Sequence, residues 1–194
     1  IVLSPDRFTL DDTLPLVAPE PKQLALFAAP SPTYTEMTNK LLSAISATTL
    51  ATDAATADLT IASHSPSTPA PPTGNSVIFV EDSTPNGAYL KGGIVAENHP
   101  LLANLNWQSL LVRESSQLDR RPDDTVILWQ DKRPLIFLRE NPATAEIPAS
   151  SQLLFNFDLR HSNAASQPAF IVLLHRFAEP IRDAKVAPTS AMLE

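Results

Sequence analysis

Four residues after one apolar run have the types that could do chemistry: Asp158, Arg160, His161 and Ser162. A carboxylate, an imidazole and a hydroxyl are the parts of a general base with an activated nucleophile. They follow Leu153 to Phe157, which predicts a buried strand running into a polar turn. Pro168 then suits the first turn of a helix whose apolar face is Phe170, Leu173, Leu174, Phe177 and Ile181; Pro180 is expected to kink or end that helix. Strand, polar turn and helix in that order put the four residues at the carboxyl edge of an α/β sheet, where such folds place ligands. The same residues also admit a purely local role, and this is the favoured one. Asp158 would accept turn amides or pair with Arg160, while Ser162 and Asn163 would shape the turn.

A hydrolase triad of Ser83, His161 and Asp158 lacks the G-x-S-x-G elbow that exposes such a serine. Asp158 and His161 also share one turn, too close along the chain to assume triad geometry. The histidines His64, His99, His161 and His175 form no H-x-x-x-H pair, and no cysteine is present. That excludes disulfides, a thiol nucleophile and cysteine-based zinc sites. Asp11 with Asp12, and Asp123 with Asp124, lack the spacing of a calcium loop and are expected to be solvated. With 4 glycines against 19 prolines, and neither G-x-G-x-x-G nor G-K-[ST], nucleotide binding through those motifs is not expected. The net charge of -7 and the scattered arginines lack the basic footprint of nucleic-acid binding. Neither a cofactor nor a metal is expected.

The elements that must position the turn follow from apolar runs. Gln23 to Ala28 predicts a buried parallel strand. Thr33 and Glu36 fit a capping box, and Tyr34, Met37, Leu41 and Ile45 recur at helical spacing as a core stripe. Leu50 to Ala54 predicts a weak strand, Asp58 to Ala62 a better one and Asn75 to Asp82 another. Ser63 to Gly74, with the proline-rich stretch 65–73, predicts a stiff surface connection with polyproline character. Lys91 to Trp107 combines a strand with a turn at His99-Pro100. Val126 to Trp129 and Leu135 to Leu138 flank Gln130 to Pro134 as a hairpin. Trp129 reads as core, and Trp107 as buried against the irregular insertion.

These elements imply an α/β fold: a doubly wound, mostly parallel sheet of the flavodoxin-like kind with an antiparallel hairpin at one edge. Residues 1–22 read as an arm or linker, 23–184 as one α/β domain and 185–194 as a tail. With Ile1 in place of an initiator Met, the chain is expected to be a segment of something longer.

Glu97 to Trp107, the hairpin, and Phe155 to Asn163 with Pro168 to Phe170 together resemble the C-terminal part of BatA-type bacterial membrane proteins, which carry a double-transmembrane region and a von Willebrand factor A domain. A module similar to class I glutamine amidotransferases follows that domain in them. The resemblance covers roughly Pro21 to Ala184. It implies an amidotransferase-like fold, protein partners, and a bacterial inner-membrane location with this domain outside the cytoplasm; membrane contact would run only through other parts of the parent. In catalytic relatives a nucleophilic Cys stands at an elbow that would fall near Glu81 to Ser83, and a His-x-Glu pair follows the last strand. Here no Cys is present, and Asp158 stands about where the His is expected. The resemblance therefore implies a non-catalytic interaction or assembly module. The alternative is a hydrolase or a small-ligand sensor built on the turn after the last strand.

Overall fold

The structure, a computed structural model, describes residues 22–64, 72–82 and 87–185. The arm, the core of the proline-rich loop, the expected turn at 83–86 and the tail fall outside these residues. Strands β1 (Leu24–Ala28), β2 (Thr48–Leu50), β3 (Leu59–His64), β4 (Ser76–Val80), β5 (Ile94–Ala96), β6 (Thr125–Gln130), β7 (Arg133–Asn141) and β8 (Ser150–Asp158) form one sheet in the order β2-β1-β3-β4-β8-β7-β6-β5. From β2 to β8 every pairing is parallel, and from β8 to β5 every pairing is antiparallel. With β8 as fifth parallel strand, the first half is the flavodoxin-like order. The hairpin β6–β7 and β5 extend it as an antiparallel wing.

Two helices, α1 (Pro32–Ala44) and α2 (Pro168–Asp183), bury their stripes in one core with the alternate strand residues Leu24, Leu26, Leu59, Ile61, Val77, Phe79, Leu153, Phe155 and Phe157. Phe79 stacks on Phe155 at 4.7 Å, and Phe170 meets Phe155 edge-on at 5.3 Å. Successive strand side chains point to opposite faces, so Ile78 and Leu154 join Phe137 in a second, smaller cluster under Leu118 and Val126. That second face is closed largely by chain without regular structure, which sheet side chains tie down. Asn156 Oδ1 accepts from Leu118 N at 2.7 Å, and Gln152 Nε2 donates to Pro72 O at 2.6 Å. Loop backbone without a ladder of its own must find such partners.

Four local expectations are corrected. The helix α1 begins at Pro32 with Ser31 as N-cap, so Thr33 lies inside it and the capping box does not form; Glu36 pairs with Lys40 at 2.9 Å instead. Proline's fixed φ and missing N–H favour that earlier start. The weak strand is β2, shifted to Thr48–Leu50. Helix α2 does not end at Pro180 but runs on to Asp183. Pro180 is three residues from its end, so little ladder is left beyond it. Trp107 is buried as expected, whereas Trp129 is only half-buried, its Nε1 donating to Glu97 Oε1 at 2.9 Å. On an outer strand pair that ring needs an outlet for its polar edge.

Candidate functional site

Asp158 is the last residue of β8, and a register shift precedes it: Phe79 pairs with Phe155, but the next residue, Val80, pairs with Asp158. The bulge drops Asn156 and Phe157 from the register with β4 and restores pairing at Asp158. Asp158 is 2% exposed. Its carboxylate accepts from Asp82 N at 3.0 Å, Arg160 N at 2.9 Å, Arg160 Nε at 3.0 Å and Arg160 Nη2 at 2.6 Å. Burial opposes ionisation, but the Arg160 side chain and the two backbone amides outweigh it and hold the carboxyl below the usual carboxylate range. The Arg160 guanidinium is raised in turn by its bond to Asp158.

The network continues on both sides. Asp82 accepts from Ser116 N at 2.5 Å and Ser116 Oγ at 3.0 Å. Glu81 lies 3.6 Å from Arg160 Nη1 and accepts from Ser63 Oγ at 2.6 Å. Thus β3, β4, β8 and the segment at Ser116 are tied across the carboxyl edge of the sheet.

Chain order reverses between β1 and β3, the position where open α/β sheets offer a crevice. Tyr34, in the first turn of α1, packs at this edge: it is 6% exposed and stacks on Phe79 at 5.7 Å. Burial pushes its hydroxyl up to about 12, against the pull of a hydrogen bond with Ser63, and the carboxylates of Glu81 and Asp158 add to the rise. Unfolded tyrosine ionises near 10, so above that pH the folded chain keeps a proton the unfolded chain loses, and stability falls with rising pH. The loss across this window should reach roughly 2–3 kcal/mol. Tyr34→Phe keeps the ring and should flatten that alkaline decline in urea unfolding measured on either side of the window. An unchanged slope would contradict the assignment.

The four residues singled out in the sequence do not converge on one point. His161 Nδ1 is 3.8 Å from Asp158 Oδ2, too long for a hydrogen bond. Ser162 Oγ donates to Leu159 O at 3.0 Å rather than to an imidazole. Asn163 Oδ1 accepts from Leu111 N at 2.7 Å, and its Nδ2 donates to Ser109 O at 2.9 Å. Ser83 lies outside the described residues. Among the described residues no three His, Asp or Glu side chains gather as metal ligands, and no helix is long and apolar enough to cross a membrane.

Arg160, His161, Ser162 and Asn163 do line one wall of an open cleft of about 380 Å³; the other wall is Tyr89, Leu111 and Arg113. Isolated bridges build that wall, Tyr89 with Arg113 and Val112 with Ser162. Gly87 permits the close approach, since a Cβ there would stand 2.2 Å from Glu114 O. Tyr89, Leu111 and Arg113 were not singled out in the sequence. Their pairing spans an irregular stretch in which no periodicity marks a strand.

Asp124 corrects the expectation of a solvated pair. Asp123 is exposed, but the Asp124 side chain is fully buried against Arg139 Nη2 at 2.7 Å and Nε at 2.8 Å.

Comparison with family models, with curated proteins and with solved structures found no match.

Proposed function

We propose that residues 23–184 form a non-catalytic α/β module, similar to class I glutamine amidotransferases, that serves protein interaction or assembly within a larger membrane-anchored bacterial protein of the BatA type. The observation that carries this reading is the state of Asp158. It stands where the amidotransferase pattern has a base, yet each carboxylate oxygen accepts hydrogen bonds from a buried amide or from Arg160, and the group is held ionised. A general base needs a lone pair free to take a proton near the operating pH. Here the lone pairs join strands. The N-terminal arm and the proline-rich loop, the surfaces the sequence favours for contact, lie outside the described residues.

The test is affinity capture with the intact parent protein against a parent lacking residues 23–184. Loss of specific interactors is the expected result, and an identical set in both would remove the assembly role. A second reading, small-ligand binding without turnover, is favoured by one observation: the turn after β8 borders an open cleft rather than a filled surface. Hydrolysis there draws less support, because neither Ser162 nor Asp158 offers His161 a hydrogen bond.

A further inference from the structure

The charge and donor pattern of the cleft beside β8 identifies what it would hold. This inference rests on the small-ligand reading and adds the ligand's chemical class. The charged side chains lining the cleft are Arg113 and Arg160, both cationic, in a chain of net charge -7. Among the described residues no carboxylate lines it, but Arg160 is paired with Asp158 at 2.6 Å and lies 3.6 Å from Glu81, so Arg113 is the cation that gives the cleft its positive excess. A local excess of one sign against the net charge is a footprint for ligands of the opposite sign.

The donors are not exhausted. Arg160 binds Asp158 through Nε and Nη2, but Nη1 has only Glu81 at 3.6 Å, beyond hydrogen-bond reach. Arg113 makes two long contacts, Nη1 to Gly87 O at 3.3 Å and Nη2 to Tyr89 Oη at 3.4 Å. Its guanidinium lies 4.4 Å from the Tyr89 ring centroid, so the aromatic face holds it in place. The wall is also partly apolar: Tyr89 is 51% exposed and Leu111 53% exposed. Guanidinium groups beside an exposed ring and an aliphatic side chain suit a ligand with an oxyanion at one end and an apolar flank. The geometry points to this cleft as a binding site for a small oxyanion ligand, a carboxylate or a phosphate, bound by Arg113 and Arg160 with its apolar part against Tyr89 and Leu111.

Amide NMR titration of the protein tests this with three probes: benzoate, inorganic phosphate and neutral benzamide. Saturable shifts at residues 89, 111–113 and 160–163 with benzoate or phosphate are expected, and their relative affinities separate a carboxylate from a phosphate ligand. Arg113→Gln should weaken that binding about tenfold or more, because a charge-assisted donor is lost. Arg113→Lys keeps the charge and should retain part of it, and a dispersed amide spectrum confirms that each variant folds. Benzamide binding without benzoate or phosphate would overturn the oxyanion class while leaving a ligand cleft. Silence with all three probes would overturn both. Unchanged oxyanion binding in a folded Arg113→Gln protein would also overturn the proposal.

Discussion

Asp124→Ala should destabilise the fold by roughly 3–5 kcal/mol, the cost of leaving one partner of a buried ion pair alone. Arg139 follows the apolar Leu135 to Leu138 on a central strand, and its side chain is 8% exposed, against 0% for Asp124. Two charge-assisted bonds join them, Nε to Oδ1 at 2.8 Å and Nη2 to Oδ2 at 2.7 Å, and Asp124 Oδ2 also accepts from Arg121 N at 2.7 Å. Burial opposes the charge on Asp124, but these bonds from Arg139 and the Arg121 amide hold its carboxyl below the ordinary range. The substitution strands a guanidinium that keeps its bond to Asp119 O at 2.9 Å. For a domain of this size the melting temperature should fall by roughly 6–20 °C. The double replacement Asp124→Leu with Arg139→Met removes both charges and should recover most of the loss, since apolar groups often replace a buried pair without penalty. Thermal unfolding of the single and double variants checks this. A single variant within experimental error of the wild type would refute the account of this pair.

The second large effect belongs to Asp158. Asp158→Ala removes an acceptor shared by the buried Asp82 amide and by Arg160, and should destabilise by roughly 2–4 kcal/mol. The Arg160 side chain is 43% exposed, so solvent recovers part of its loss and the value falls below that for Asp124. Asp158→Asn is not a mild alternative. Its amide nitrogen would set a donor against the Asp82 N–H or the guanidinium. The pH dependence has a definite sign. The folded carboxyl is depressed, so its contribution is complete above the unfolded value near 3.9 and is lost as pH falls through the lower folded value. Denaturant midpoints of wild type and Asp158→Ala should therefore converge in acid. A constant gap would contradict the linkage.

Much of the scaffold could be read from residue order. The apolar runs at Leu24, Leu59, Val77 and Leu153 became parallel strands because a sheet covered on both faces needs no alternation. The stripes of both helices are spaced for one face, and that face is the core. The turn after β8 fell where a strand must give way to a helix. What was hidden depends on contacts between distant residues. The Asp124 and Arg139 partnership requires the hairpin to be folded first, although an arginine continuing an apolar strand is itself a sign that a buried acid waits nearby. Tyr34 showed as a stripe residue, but its place at the sheet's carboxyl edge depends on parallel register between β1 and β3. The cleft wall at Tyr89 and Arg113 rests on an isolated bridge, for which local sequence carries no period.

The central claim is that the edge beside β8 is a latch joining strands rather than a centre that moves protons. The carboxyl carbon shift of Asp158, followed by NMR from neutral pH into acid, tests it most directly. The account predicts a single transition below the ordinary carboxylate value of about 3.9. A midpoint above about 5, in the range where carboxyls serve as general acids, would contradict it.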